Sequence, residues 1–302
     1  MKKILLALVA AAVCFTACGE DGDTLEPGQT GRKDIVNEPG EIKESSVTQL
    51  LDKGTAFSLT ASLVGKVVPQ DSDHWVAQGG ATDGTYAYFS LRTSTSAGDD
   101  AAQRVVIYKY RLSPFEFVAK SEPIACGHAN DITYCSAGKL LVHAHGSGQS
   151  KILTTIKASD LAVDTQSVSI ESNCGAISYN ESEDQYLMSS GKSAFWIADS
   201  SFKKLRAHNR SDESDGTAQG NGCDGKYAYF PMSVSGDTST VPTEIEVYNW
   251  SGKYVSRLYV HTDTKSLEIE SLFFAGDKMY GAFFPGSSVK GAYLYELVPT
   301  AD

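Results

Sequence analysis

Gln78-Gly79-Gly80-Ala81-Thr82-Asp83-Gly84-Thr85-Tyr86-Ala87-Tyr88-Phe89 returns as Gln219-Gly220-Asn221-Gly222-Cys223-Asp224-Gly225-Lys226-Tyr227-Ala228-Tyr229-Phe230, with eight of twelve positions identical. Each copy reads as a strand, an Asp-Gly turn and a second strand rich in aromatic residues. Fainter copies run over His128–Ala144, Asn173–Ser189 and Glu268–Phe284. Taking Asp83, Tyr134, Tyr179, Asp224 and Phe274 as equivalent, the spacings are 51, 45, 45 and 50 residues. Such a period signals a repeat architecture whose units bury their faces against one another.

Working outward, apolar and polar residues alternate in Leu59–Val68, Tyr86–Leu91, Val105–Tyr110 and Glu244–Trp250, the period of strands. Val105–Tyr110 has a counterpart in Ile245–Trp250, and Lys151–Ile156, Ala194–Ala198 and Ala292–Leu297 fall at matching points. No stretch after Gly54 sustains a helical period, so the body is expected to be all-β. Five units of about 45–51 residues resemble the four-stranded blades of five-bladed β-propellers. The last unit ends near Val298, one strand short. Leu59–Val68 is therefore expected to supply the outer strand of the last blade beside Ala292–Leu297, which would remove an exposed edge. A six-bladed ring with one irregular blade and a pair of β-sandwiches stay open as alternatives.

The chain opens with Lys2 and Lys3, an apolar run from Ile4 to Phe15, and Phe15-Thr16-Ala17-Cys18. The run is too short for a permanent span, which takes about 20 residues, and has the plan of an export signal. The segment resembles bacterial lipoprotein leaders, which implies cleavage after residue 17 and lipidation of Cys18. The acidic stretch that follows, Gly19-Glu20-Asp21-Gly22-Asp23, resembles the surface-export signal of Bacteroidota lipoproteins. It implies an outer-membrane lipoprotein facing the cell exterior. A plain secretory signal and a periplasm-facing anchor are the alternatives. Three segments are thus expected: a signal peptide over 1–17, a lipidated and acidic flexible tether over 18–57 with one short helix at Ser46–Lys53 stopped by Gly54, and a β-domain over 58–302.

Once the leader is removed, 24 basic residues stand against 37 acidic ones. That balance excludes nucleic acid as a partner and leaves lipid, rather than a basic patch, to hold the chain at a membrane. Cys126, Cys135, Cys174 and Cys223 could form two disulfides in three connectivities or remain core thiols. Their spacing contains no CxxC zinc pattern.

In a propeller the innermost strands surround one channel, so residues at their starts converge. Those positions hold Gln78, His128, Asn130, Asp131, Asn173, Gln219, Asn221, Glu268 and Glu270. Convergent amides and carboxylates would bind a small molecule, a glycan or a surface protein, or simply line a wet channel. No cofactor motif is present, although a calcium ion would be chemically compatible with Asp131 and Glu270. The same two carboxylates are the one candidate catalytic pair, for a glycan-cleaving or phosphate-cleaving enzyme. The aligned starts of the first and third units hold no carboxylate, and no Gly-x-Ser-x-Gly elbow occurs, so binding without catalysis is the leading expectation. A structural part in a surface complex is a further alternative. Gly127–Tyr134 (GHANDITY) has a local similarity to helveticin-like propellers, from which no residue role is transferred.

Overall fold

The computed structural model describes residues 46–93, 103–146, 148–191, 194–210, 217–233, 243–262, 267–286 and 289–301. The described chain is all-β apart from one short helix, α1 (Val47–Lys53), which Gly54 ends in the left-handed conformation. After it runs β1 (Ser58–Val67).

Three four-stranded antiparallel sheets follow in chain order. The first is β2 (His74–Thr82), β3 (Tyr86–Thr93), β4 (Val105–Arg111) and β5 (Glu116–Lys120). The second is β6 (Asp131–Cys135), β7 (Leu140–Ala144), β8 (Ile152–Lys157) and β9 (Val163–Ser169). The third is β10 (Ala176–Asn180), β11 (Gln185–Ser189), β12 (Ala194–Asp199) and β13 (Lys204–Asn209).

The remaining strands form one nine-stranded sheet with two halves. In one, β14 (Thr217–Ala218) and β15 (Gly222–Cys223) both pair with β16 (Tyr227–Ser233), followed by β17 (Thr243–Asn249) and β18 (Tyr254–His261). The other contains β19 (Glu268–Ala275), β20 (Lys278–Phe284) and β21 (Ala292–Thr300). Strand β1 joins the halves. It pairs antiparallel with β21, from Ser58 opposite Thr300 to Val67 opposite Ala292, as the missing-strand argument expects. It also pairs in parallel with β18 at Leu59 and Thr60.

One strand near the start of each group touches its counterpart in the next: β2 with β6, β6 with β10, β10 with β15, β15 with β19, and β19 with β2. This adjacency is cyclic. The apolar core follows it as five clusters, each fed by two consecutive groups. Ile107 and Leu141 share one, Val142 and Ile177 a second, Phe195 and Phe230 a third, Val247 and Phe283 a fourth, and Phe89 and Phe273 a fifth. Because each sheet is covered on both faces, β4 is buried at six consecutive residues rather than at every second one. The outer strand β5 has no buried residue at all.

The helix departs from expectation. Within residues 46–57, expected in the tether, Val47, Leu50, Leu51 and Phe57 are buried in the cluster between β16–β18 and β19–β21. Their spacing of three and four residues lines one helical face, and that face has a core to meet. The packed body therefore includes α1 and Phe57. The four thiols are free: Cys126, Cys135 and Cys174 are buried and Cys223 is half-buried, so no disulfide joins them.

Candidate functional site

Where the inner strands meet, Asp131 opens β6 with no surface exposed. Its Oδ1 accepts the Ile132 N–H at 2.9 Å. Its Oδ2 accepts the N–H of Ile177 in the third sheet at 2.9 Å and that of Asn221, ahead of β15, at 3.4 Å. Ser271 Oγ on β19 lies 2.8 Å from Asp131 Oδ1 and 2.9 Å from the carbonyl oxygen of Gly80 on β2. One carboxyl thus links all five inner strands, directly or through one hydroxyl. Close approach is a condition of this. A Cβ on Gly79 would stand 2.8 Å from the Asp131 Cα and the Ile132 nitrogen, so only glycine fits there. Burial pushes the Asp131 carboxyl up to about 8, against the pull of its donors.

The other polar residues expected on the channel divide into two sets. Asn221 is buried, takes a hydrogen bond from Ser178 at 2.7 Å and gives one to Ser189 at 3.4 Å. Gln78 is buried and donates to the Ala77 carbonyl. These two, with Asp131, pack the axis. Glu270 is also buried. Desolvation first, and then Glu268 and Asp131, hold its carboxyl well above the usual range, while Arg92 opposes them. His128, Asn130 and Gln219 are half-buried, and Asn173 and Glu268 exposed, around the strand-start mouth. The segments 94–102, 211–216, 234–242 and 263–266 lie outside the described residues. Among the described residues no group of three or more His, Cys, Asp or Glu side chains could hold a metal ion. For the paired use of Asp131 and Glu270, the relevant geometry is that the Asp131 oxygens already face donors.

The opposite mouth holds a cavity of about 630 Å³. It narrows toward a smaller space of about 70 Å³ lined by Gly80, Ile132, Thr133, Ser178 and Leu272, next to the Asp131 shell. Asp83, Tyr134, Tyr179, Asp224 and Phe274, the five positions that define the repeat, all line the larger space. Sequence reasoning used them only to count the period and placed the site at the other end of the same strands. The signal was their equivalence: residues at one register of converging strands share a mouth whichever end they occupy.

The local chemistry of this mouth explains the twelve-residue repeat. Asp83 Oδ1 accepts the N–H groups of Thr85 and Tyr86 at 2.9 and 2.7 Å, and its Oδ2 accepts the Tyr88 hydroxyl at 2.7 Å. Asp224 does the same with Lys226, Tyr227 and Tyr229, at 2.9, 2.7 and 2.6 Å. Gly84 and Gly225 follow at φ of 86° and 94°, a turn conformation that favours glycine. Burial first, and then the Asp224 carboxylate, hold the Tyr229 phenol well above its ordinary pKa. Thr48 of α1 also donates to Asp224, so the helix is seated at the rim of this mouth.

No protein-family model matches the chain, and no curated protein matches it. Among solved structures it is similar to the tail fiber of Staphylococcus aureus phage P68, at 14% identity and a TM-score of 0.55, over 80% of this chain and 53% of that one. It is also similar to the Kuenenia stuttgartiensis hydrazine synthase, at 11% identity and a TM-score of 0.43, over 74% of this chain and 61% of that one. The chain spans about half the length of the tail-fiber chain. At these identities the first likeness is one of fold alone, and the second is too slight to bear on it.

Proposed function

We propose that this chain is a five-bladed β-propeller acting as a non-catalytic binding module, anchored by lipid at Cys18 on the outer face of the outer membrane. Its ligand, a small molecule, a glycan or a protein segment, enters at the turn-end cavity. One observation carries the binding reading: five equivalent positions from five units converge on a single cavity at the mouth of the inner strands. The propeller reading is supported by the cyclic adjacency of the inner strands and by the five shared clusters between consecutive groups. A channel filled by Asp131, Asn221 and Gln78 suits a module that holds a ligand at its mouth better than one that cleaves at its centre.

Anchoring rests on the leader and on Cys18, which lie outside the described residues; no described helix is long and apolar enough to cross a membrane. Labelling by a palmitate analogue is expected to depend on Cys18, and equal labelling of Cys18→Ala and wild type would refute the anchor. For the site, a ligand panel is titrated against the mature chain and against Tyr134→Ala. Binding that survives this change moves the site elsewhere. Hydrolysis of a glycoside or nucleotide that is lost in Glu270→Gln would overturn the non-catalytic reading.

A further inference from the structure

The turn-end cavity has walls of two kinds. Tyr134, Tyr179 and Phe274 come from three different groups of strands and are each half-buried, so part of each ring remains open at the mouth. Neighbours hold the rings in place. Tyr134 stacks on Tyr88 with centroids 6.4 Å apart, Tyr179 donates its hydroxyl to Asp184 at 2.8 Å, and Phe274 packs on Tyr229 at 5.1 Å. The other wall is acidic: Asp83, Asp224 and Glu181 line the cavity, and no Lys, Arg or His does so among the described residues.

How these carboxylates are bonded separates two ligand classes. An ionised carboxylate has about four acceptor sites. Asp224 fills them with two backbone N–H groups and the hydroxyls of Tyr229 and Thr48, and Asp83 fills three. The hydroxyls of a neutral, hydroxyl-rich ligand gain most by donating to carboxylate acceptors, and little such capacity remains on these two. A cation needs no lone pair. The donors on Asp83 and Asp224 are neutral dipoles, which do not cancel a carboxylate's charge, and a tyrosine face attracts a cation as well. The adjoining cleft between β3–β4 and β20–β21 does not reverse this field. Its Lys278 is paired with Glu296 at 3.0 Å and its Arg111 with Glu116 at 3.4 Å.

We infer that the turn-end cavity receives a ligand bearing an ammonium or guanidinium group, held over the faces of Tyr134 and Tyr179 in the field of Asp83, Asp224 and Glu181. This rests on the proposed binding role of the cavity and adds the chemical class of its ligand.

The test is calorimetric titration of the mature chain with four probes: tetramethylammonium, a lysine-containing tetrapeptide, the matching glutamate tetrapeptide and maltotriose. The two cationic probes are expected to bind, more weakly as salt rises, while the other two do not. Tyr179→Leu should weaken the cationic probes roughly three- to thirtyfold. Glu181→Gln lies on an exposed turn; it should cost roughly two- to fivefold and keeps the test readable if the tyrosine change impairs folding. Maltotriose binding that is lost in Tyr179→Leu would overturn the cation assignment and leave the cavity as a site. Cation binding indifferent to both changes would remove the cavity itself. Failure of every probe to bind would overturn the inference.

Discussion

Ser271 has one hydroxyl hydrogen and two oxygen neighbours, the Gly80 carbonyl at 2.9 Å and Asp131 Oδ1 at 2.8 Å. A carbonyl can only accept, so if Ser271 donates to Gly80, the Asp131 contact must carry the carboxyl's own proton. That arrangement agrees with the rise of the Asp131 carboxyl to about 8 on burial. Its consequence for stability has a definite sign. The folded chain keeps this proton from about pH 3.8 to about 8 while the unfolded chain releases it, so rising pH favours unfolding across that window. Buried His143, held down to about 3, gives the opposite slope, but only below its ordinary 6.5. From pH 6.5 to 8 the buried carboxyls therefore govern. Urea titrations in that interval should show stability falling, on the order of 1–2 kcal/mol from Asp131. Asp131→Asn, which cannot titrate, should flatten the slope to the share left by Glu270; an unchanged slope would place the proton elsewhere. Asp131→Ala takes the acceptor from two N–H groups at 2.9 Å, at about 1–3 kcal/mol each, and should lower stability by roughly 3 kcal/mol or more at any pH.

At the scale of elements, α1 and β1 act as two parts of one closure. Strand β1 covers β21 along its length and reaches β18 at Leu59 and Thr60, and α1 plugs the cluster beneath them. A chain beginning at residue 46 should match the mature chain in melting temperature. One beginning at residue 58 loses Val47, Leu50, Leu51 and Phe57, each worth roughly 1.5–3 kcal/mol of burial, and should be severely destabilised. One beginning at residue 71 lacks β1 as well and should not fold; a folded monomer from that start would sink the closure. Leu50→Ala alone should cost about 2–5 kcal/mol by urea denaturation. How far each feature was legible follows from range. The helix could be read from Gly54, and the pairing of β1 with β21 from a unit one strand short. Docking of α1 was also encoded, in the apolar spacing of Val47, Leu50 and Leu51, but an acidic, breaker-rich neighbourhood outweighed three residues. The parallel pairing of β1 with β18 leaves no local trace, since it depends on where two remote strands come to lie. For the site, the polar strand starts point to Asp131, whose carboxyl is spent on the backbone N–H groups of Ile132, Ile177 and Asn221, and to Asn221, whose amide is spent on Ser178 and Ser189. Asp83 and Tyr179 serve in the sequence only to mark the period, because a shared register shows which positions are equivalent but not which end of the strands opens into a cavity.

At the scale of the whole molecule, no group of strands has a core of its own among the described residues, because each apolar cluster draws side chains from two consecutive groups. Losing one group strips a face from each of its neighbours. With β1 and α1 joining the last two groups and Asp131 tying the axis, partial opening has no stable stopping point, and unfolding should be a single cooperative step. The free thiols are placed to report on this. Cys126 is buried between the first and second sheets, and Cys135 and Cys174 between the second and third. Burial pushes the Cys126 thiol up to about 12 and Cys174 further, so at pH 8 the native chain offers almost no reactive thiolate at either position. Brief iodoacetamide pulses along a urea gradient, read by mass spectrometry, should leave all three unmodified in the native range and label them at one common midpoint. That midpoint should coincide with the change in tryptophan fluorescence. Labelling of Cys126 at a clearly lower urea concentration than Cys174 would mean that the first two sheets part while the rest holds, and would refute all-or-none closure of the ring.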